Sequence, residues 1–206
     1  LSGFSKSWWT DIDRIGLSKA GGLMFNLKVD RNIQLRLLEE RHAEMLYLLT
    51  VRNRDHLRKW LSWVDRVISV QDTRNFIKLS LKQFEAWKGI QMGIWYNEEL
   101  VGVIGCEINM ENRTATIGYW LAARFQGRGI MTRACKALID YLFREKGMDC
   151  IEIRCVVENR RSRAIPERLG LAQEGLVRNA ELLNGRYVDH VVYRIHREKW
   201  VKSYDG

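Results

Sequence analysis

The chain has 206 residues, enough for one domain with a full core, and its hydrophobic fraction of 46% is that of a soluble globular protein. No apolar run approaches the ~20 residues that cross a bilayer, which excludes an integral membrane helix. The formal net charge of +9 implies attraction to polyanions such as a phosphorylated cofactor, nucleic acid, a ribosome or an acidic protein, but the basic residues are scattered, with one cluster at Arg160, Arg161 and Arg163, which disfavours a dedicated nucleic-acid surface.

Residues 1–23 read as an extension, added outside the native chain or flexible, ahead of a domain spanning 24–206. Trp8-Trp9 stands isolated there, Gly21-Gly22 has linker composition and Met24 has the character of an initiator; a native docking segment built on the two tryptophans is the alternative. A secretory signal is excluded, because no continuous apolar core leads to a small-residue cleavage site. From Asn32 to Leu38, Ile33, Leu35 and Leu37 alternate with polar residues and predict a half-buried strand. Glu39 to Asn53, with Ala43, Leu46, Tyr47 and Leu49 at helical spacing, and Arg54 to Trp63, with Leu57, Trp60 and Leu61, predict two helices in close succession. Asp72 is the expected N-cap of a further helix carrying Phe76, Ile77, Leu79, Leu81, Phe84 and Trp87.

Ile90 to Tyr96, Leu100 to Met110 and Arg113 to Ala122 are strand-like runs joined by polar turns at Asn97-Glu98 and Glu111-Asn112, which predicts an antiparallel meander. An amphipathic helix over Ile130 to Lys146 follows, so the next strand, Asp149 to Val157, is reached by a crossover and is expected parallel to its predecessor. A helix opens at Asn159, and Leu171 to Leu182 and Arg186 to His196 flank Asn184-Gly185, a strong hairpin signal. The chain reads as a single-domain α/β fold: a mixed, mostly antiparallel sheet with flanking helices and a site where strands diverge. Cys106, Cys135, Cys150 and Cys155 form no Cys-x-x-Cys pair and read as reduced core residues. His42, His56, His190 and His196 lack metal-ligand spacing, and no metal is expected.

The densest chemical signal is Arg124-Phe125-Gln126-Gly127-Arg128-Gly129-Ile130-Met131-Thr132. Two glycines one residue apart allow a turn whose backbone N–H groups point inward. The helix that follows presents unpaired N–H groups and the positive end of its dipole, and Arg124, Arg128 and Arg133 add charge of the right sign. The favoured ligand is a phosphorylated cofactor, although Gly-x-Gly also serves as an ordinary tight strand-to-helix connection. A Walker A loop is excluded because no Gly-Lys-Ser/Thr follows, and a dinucleotide fingerprint is disfavoured because Thr132 stands at its third glycine.

The remaining pattern, Arg-x-x-Gly-x-Gly, resembles the acyl-CoA loop of the GNAT superfamily of N-acetyltransferases. Ile117-Gly118-Tyr119-Trp120-Leu121 resembles the strand before that loop, and Asn159 to Leu171, with Ser162, resembles the family's Asn-x-x-Ser helix. The likeness covers roughly Leu27 to Trp200, nearly a whole domain, and the branch it most resembles is the ribosomal-protein alanine and serine N-acetyltransferases. It implies a cytoplasmic, acetyl-CoA-dependent enzyme in which an amine attacks the thioester directly. It also implies backbone bonds to the pantetheine arm and acetyl oxygen from Leu121 and its neighbours Trp120 and Ala122. Gln126, Gly127, Arg128, Gly129, Ile130, Met131, Thr132 and Asn159 would hold the cofactor. Ser162 would stabilise or protonate the thiolate, Glu181 would take the amine proton through water, and Trp60 and Trp63 would wall the substrate groove.

Taken alone, the residues leave other readings open. Asn159 and Ser162 suit ordinary helix capping, Glu181 an exposed strand carboxylate, Glu107 a competing base, and Asp189 and His190 a cross-strand pair. Pro166 removes one helical N–H and would bend the helix carrying Ser162. An α-amino group has a pKa of about 7.7–8.0, against about 10.4 for lysine, so a water-relayed base suffices for it and an N-terminal amine is favoured. The resemblance makes that the N-terminus of a ribosomal protein; the alternatives are a polyamine or aminoglycoside acceptor, or a non-catalytic CoA-sensing or RNA-associated module. Neither a membrane nor a direct nucleic-acid partner is expected, and a homodimer is compatible with the branch.

Overall fold

The computed structural model describes residues 25–204; the expected extension over 1–23 and the domain start at Met24 lie outside the described residues. Strands β1 (Asn26–Lys28) and β2 (Ile33–Leu37) precede helices α1 (Ala43–Arg52), α2 (Arg54–Leu57) and α3 (Val70–Glu85). Then come β3 (Gly89–Tyr96), β4 (Glu99–Asn109), β5 (Thr114–Leu121), α4 (Ile130–Arg144), β6 (Cys150–Val156), α5 (Arg160–Arg168), β7 (Ala172–Leu183), β8 (Arg186–His196) and α6 (Arg197–Tyr204). The strands form one sheet in the order β1-β2-β3-β4-β5-β6-β8-β7, antiparallel everywhere except between β5 and β6. The mixed, mostly antiparallel sheet with flanking helices expected from the sequence is therefore the observed fold.

Both tight hairpins follow from their turn residues. Asn97 and Glu98 adopt φ of 49° and 63°, and Asn184 and Gly185 adopt 52° and 79°. Two successive left-handed residues give the turn whose twist matches that of the flanking strands. β3 and β4 are buried on both faces, which is why they read as nearly continuous apolar runs. On one face Ile130, Ala134, Leu138 and Leu142 of α4 pack with Met92, Ile104, Cys106 and Ile117. On the other, Leu46 of α1 and Ile77 of α3 pack with Trp95 and Val103. Each such aliphatic side chain contributes roughly 1.5–3 kcal/mol on burial.

Three boundaries differ from expectation. Ser69, not Asp72, caps α3: its hydroxyl accepts from the Asp72 N–H, while the Asp72 carboxylate accepts from the Ser69 N–H at 2.8 Å, so Asp72 is the third-position partner of a capping box. The helix expected over Arg54 to Trp63 stops at Leu57 and continues as turns, because the Arg54 guanidinium donates to the Val64 and Val67 carbonyls (2.8 and 2.6 Å) and folds the chain back. β1 and α6 had no counterpart in the sequence reading.

The site is set by what β5 and β6 fail to do. Their parallel register runs only from Thr114↔Cys150 to Ile117↔Ile153. Beyond it β5 goes on to Leu121 and β6 to Val156 without pairing, so the strands separate at the end that carries the glycine loop.

Candidate active site

At that gap the direction of each β5 backbone group is fixed by the ladder to β4. The Ala122 N–H donates to the Val101 carbonyl at 2.9 Å. Bonding direction alternates along an antiparallel strand, so Trp120 also addresses β4, while Tyr119 and Leu121 turn their N–H and C=O into the gap. The Trp120 backbone is thus turned to β4, and Ala122 spends its N–H on β4 and its carbonyl on the Phe125 N–H at 3.0 Å, so neither leaves backbone groups free toward the gap as the resemblance implied. Leu121 and Tyr119 are the residues whose backbone groups face the gap.

The loop is shaped to leave room. Gly127 and Gly129 have φ of 75° and 69°. A Cβ at Gly127 would meet nothing within 4 Å, and one at Gly129 only the Arg133 Nε at 4.0 Å. The glycines therefore answer to backbone conformation, and the space above them is open to a phosphate group. α4 begins at Ile130 with no side-chain cap, so the N–H groups of its first turn, Ile130, Met131 and Thr132, face that space. The side chains of Ile130 and Met131 are buried, which limits both to backbone contacts.

Two of the three expected loop cations are already paired. Arg124 forms an ion pair with Glu99, and Arg133 forms one with Asp30 at 2.5 Å while also donating to the Arg128 carbonyl at 3.2 Å. Arg128 lies 5.4 Å from the Phe125 ring centroid and makes no ion pair among the described residues. Sequence reasoning missed a further cation, Arg161 of α5, which donates to the Gln126 Oε1 at 2.5 Å. It also missed Asn53 and His56: the Ala123 N–H donates to the Asn53 Oδ1 at 2.9 Å, and Gln126 Nε2 lies 2.8 Å from His56 Nε2. Both contacts span 70 residues of chain, a separation at which spacing carries no signal. Burial, followed by the Arg161 and Lys59 charges, holds the His56 imidazole below its ordinary pKa.

Across the gap, the Asn159 Oδ1 caps α5 by accepting from the Ser162 N–H at 3.2 Å, which leaves the Ser162 hydroxyl free of capping duty. Ser162 Oγ lies 3.2 Å from Cys155 Sγ and donates to the Tyr119 hydroxyl at 3.4 Å, and that hydroxyl in turn donates to the Ser162 carbonyl at 3.0 Å. The last bond has a covalent cause. Residue 166 of a regular helix would give its N–H to the carbonyl of residue 162, and Pro166 has none. Burial, then the neighbouring Cys135 and Cys155, hold the Tyr119 phenol well above its ordinary pKa, and burial raises Cys155 likewise, so both remain protonated.

Glu181 sits beside a register shift in the last hairpin. Val177 pairs with His190 and Glu181 with Val188, so Arg178, Asn179 and Ala180 oppose Asp189 alone. The bulge is held by Asp189, whose Oδ1 accepts from the Asn179 N–H at 2.8 Å, with Asn179 at a left-handed φ of 51°. Glu181 Oε2 then lies 3.3 Å from His190 Nε2, a buried nitrogen with no hydrogen-bond partner. The same hairpin meets the expected wall: Trp60 packs against Val156, Leu183 and Val188, and Asn184 Nδ2 donates to the Arg58 carbonyl at 3.0 Å. Trp63 stands 6.4 Å from Trp120, ring to ring. Glu107, by contrast, is opposite Thr116 whereas Leu121 is opposite Gly102, which puts it about 17 Å from the loop end of the sheet. There it lines a groove of about 760 Å³ with Trp87 and Met110. Among the described residues no group of three His, Cys, Asp or Glu is placed to hold a metal ion.

The family model described as an acetyltransferase (GNAT) domain matches residues 32–172. The chain is 38% identical over 179 residues to the putative ribosomal N-acetyltransferase YdaF of Bacillus subtilis (strain 168), covering 86% of this chain and 98% of that one. It is 33% identical over 168 residues to the ribosomal-protein-serine acetyltransferase of Escherichia coli (strain K12), covering 81% and 94%. Among solved structures, the ribosomal L7/L12 alpha-N-protein acetyltransferase RimL in complex with coenzyme A has a TM-score of 0.81 at 31% identity, over 83% of this chain and 97% of that one. The microcin C7 self-immunity acetyltransferase MccE, in complex with acetyl-CoA and AMP, has a TM-score of 0.80 at 34% identity, over 87% and 98%.

Proposed function

The chain belongs to the GNAT family of acetyltransferases and is an acetyl-CoA-dependent N-acetyltransferase, and from that premise we propose that its acceptor is the N-terminal amine of a ribosomal protein. The observation that carries the mechanism is the separation of β5 from β6, with the glycine loop at its mouth and Ser162 on its α5 side. The Leu121 N–H points into the gap, where a donor aimed at the thioester oxygen stabilises the charge that develops as the amine attacks. The Ser162 hydroxyl, donating to Tyr119 at rest, turns to donate to the departing sulfur. Tyr119 does not follow: its proton is committed to the Ser162 carbonyl and its pKa is raised. Glu181 receives the amine proton through water, with His190 beside its carboxylate.

Similarity to MccE, solved with acetyl-CoA and AMP, favours a second reading in which the acceptor is a small-molecule amine. Intact-protein mass spectrometry of deacetylated ribosomal proteins incubated with this protein and acetyl-CoA, run beside thiol release with spermidine, separates the two. A single acetyl group confined to a protein N-terminus is the expected result. Thiol release with spermidine and no protein acetylation would transfer the function to small amines.

A further inference from the structure

Gln126 is the only residue of the glycine loop whose side chain is held from both sides of the gap, by His56 of α2 and Arg161 of α5. Its amide has two orientations, and the imidazole has two tautomers. Chemistry removes both ambiguities here. Arg161 carries only donors, so Gln126 must turn its oxygen to Arg161 and its NH2 to His56. Two donors cannot share a 2.8 Å contact, so His56 Nε2 is the acceptor and its proton resides on Nδ1. Protonated His56 has no acceptor to offer, and flipping the amide would set its NH2 against Arg161.

We propose that His56 is a positioning residue for acetyl-CoA: in its neutral form it holds the Gln126–Gly129 loop, through the Gln126 amide, in the shape that binds the cofactor, and it releases the loop when protonated. The inference rests on the assignment of this loop as the acetyl-CoA site. The segment is rigid enough for the role, because Asn53 anchors the same loop through the Ala123 N–H and the Arg58 carbonyl anchors the segment to the last hairpin. The charges acting on the imidazole are both cationic, Arg161 from α5 and Lys59 from its own segment, and with burial they keep it neutral at pH 7. The sign follows. The folded imidazole titrates below its ordinary range, so the loop is held at neutral pH, and cofactor affinity falls only as the pH drops through that lowered value and His56 takes up a proton.

The test is calorimetric titration with coenzyme A between pH 5.5 and 8 on the full-length protein and three variants. In His56→Gln the side-chain oxygen can accept from Gln126 at every pH; in His56→Lys a fixed cation mimics the protonated state. A neutral hydrogen bond of about 1 kcal/mol corresponds to roughly fivefold in affinity. Wild type should therefore lose about fivefold more affinity than His56→Gln on acidification, and His56→Lys should be weaker by a similar factor at pH 8. Titration of the ligand's own phosphate is common to all curves and cancels in the comparison. Parallel curves for wild type and His56→Gln, with Gly129→Glu abolishing binding, would overturn the role of His56 while leaving the loop assignment intact. Binding by Gly129→Glu at wild-type affinity would instead remove the loop assignment, and this inference with it.

Discussion

Because Pro166 has no N–H to give, the half-buried Ser162 carbonyl would lose its protein partner without the Tyr119 hydroxyl. Tyr119→Phe should therefore cost about 1–3 kcal/mol of stability, the usual cost of an orphaned polar group. Pro166→Ala returns the helical N–H, so adding it to Tyr119→Phe should recover most of that loss, a coupling that denaturant unfolding of the two single variants and the double variant would measure. Strict additivity would mean that the tyrosine does not replace the missing helical bond. At Glu181, loss of a base that relays the amine proton should lower kcat by about 10²-fold at pH 7 in Glu181→Gln. The deficit should shrink above the amine pKa of about 8, where the nucleophile is already neutral, and a deficit unchanged to pH 9.5 would reassign the residue to binding. Ser162 and Glu181 could be put forward from sequence because the motif carrying each is local. Pro166 was visible as a missing donor, but the residue that compensates for it, Tyr119, lies 43 positions away from the carbonyl it serves.

At the scale of elements, period-two runs and left-handed turn residues made the meander and the last hairpin readable, and the helical repeat with a glycine start marked α4. What escaped was what tertiary bonds decide. β1 spans only Asn26–Lys28 and exists by pairing with β2, and α2 ends where Arg54 captures carbonyls further along the chain. The bulge in β7 also escaped, since nothing in Arg178-Asn179-Ala180 says that one residue will oppose three. It matters to the proposed mechanism because it sets the side chain of Glu181 beside His190. Asp189→Ala removes the acceptor that holds the Asn179 N–H, and relaxation of the register should move Glu181 away from His190. The expected outcome is a fall in kcat approaching that of Glu181→Gln, a stability cost of only about 1 kcal/mol, and recovery of kcat in Asp189→Asn, whose amide oxygen can accept the same bond. Full activity in Asp189→Ala would separate the bulge from catalysis.

Over the whole molecule, the sheet is two portions, β1 to β5 and β6 to β8, joined through the short parallel ladder between Thr114 and Ile117 and Cys150 and Ile153. A gap that stays open to a ligand yet keeps its width needs a second connection away from the site, and Trp200 supplies it. It follows β8 on α6, is fully buried, packs 6.3 Å from Phe143 and donates its indole N–H to Asp140 at 2.7 Å, both partners on α4, whose other end carries the loop. Trp200→Ala should cost about 3–5 kcal/mol, and at about 2–4 °C per kcal/mol for a chain of this size the Tm should fall by about 10 °C. Loss of stability alone would say nothing about the gap, so the informative comparison is with Ile77→Ala, a cavity of similar cost on the α1 and α3 face. Thermal unfolding across an acetyl-CoA titration gives both quantities for each variant, since ligand stabilisation follows the ratio of concentration to Kd. If α6 fixes the separation of the two portions, Trp200→Ala should weaken acetyl-CoA binding several-fold at a distance, while Ile77→Ala loses comparable stability with its Kd unchanged. Equal Kd values in the two variants would leave Trp200 as core packing and place control of the gap within the ladder itself.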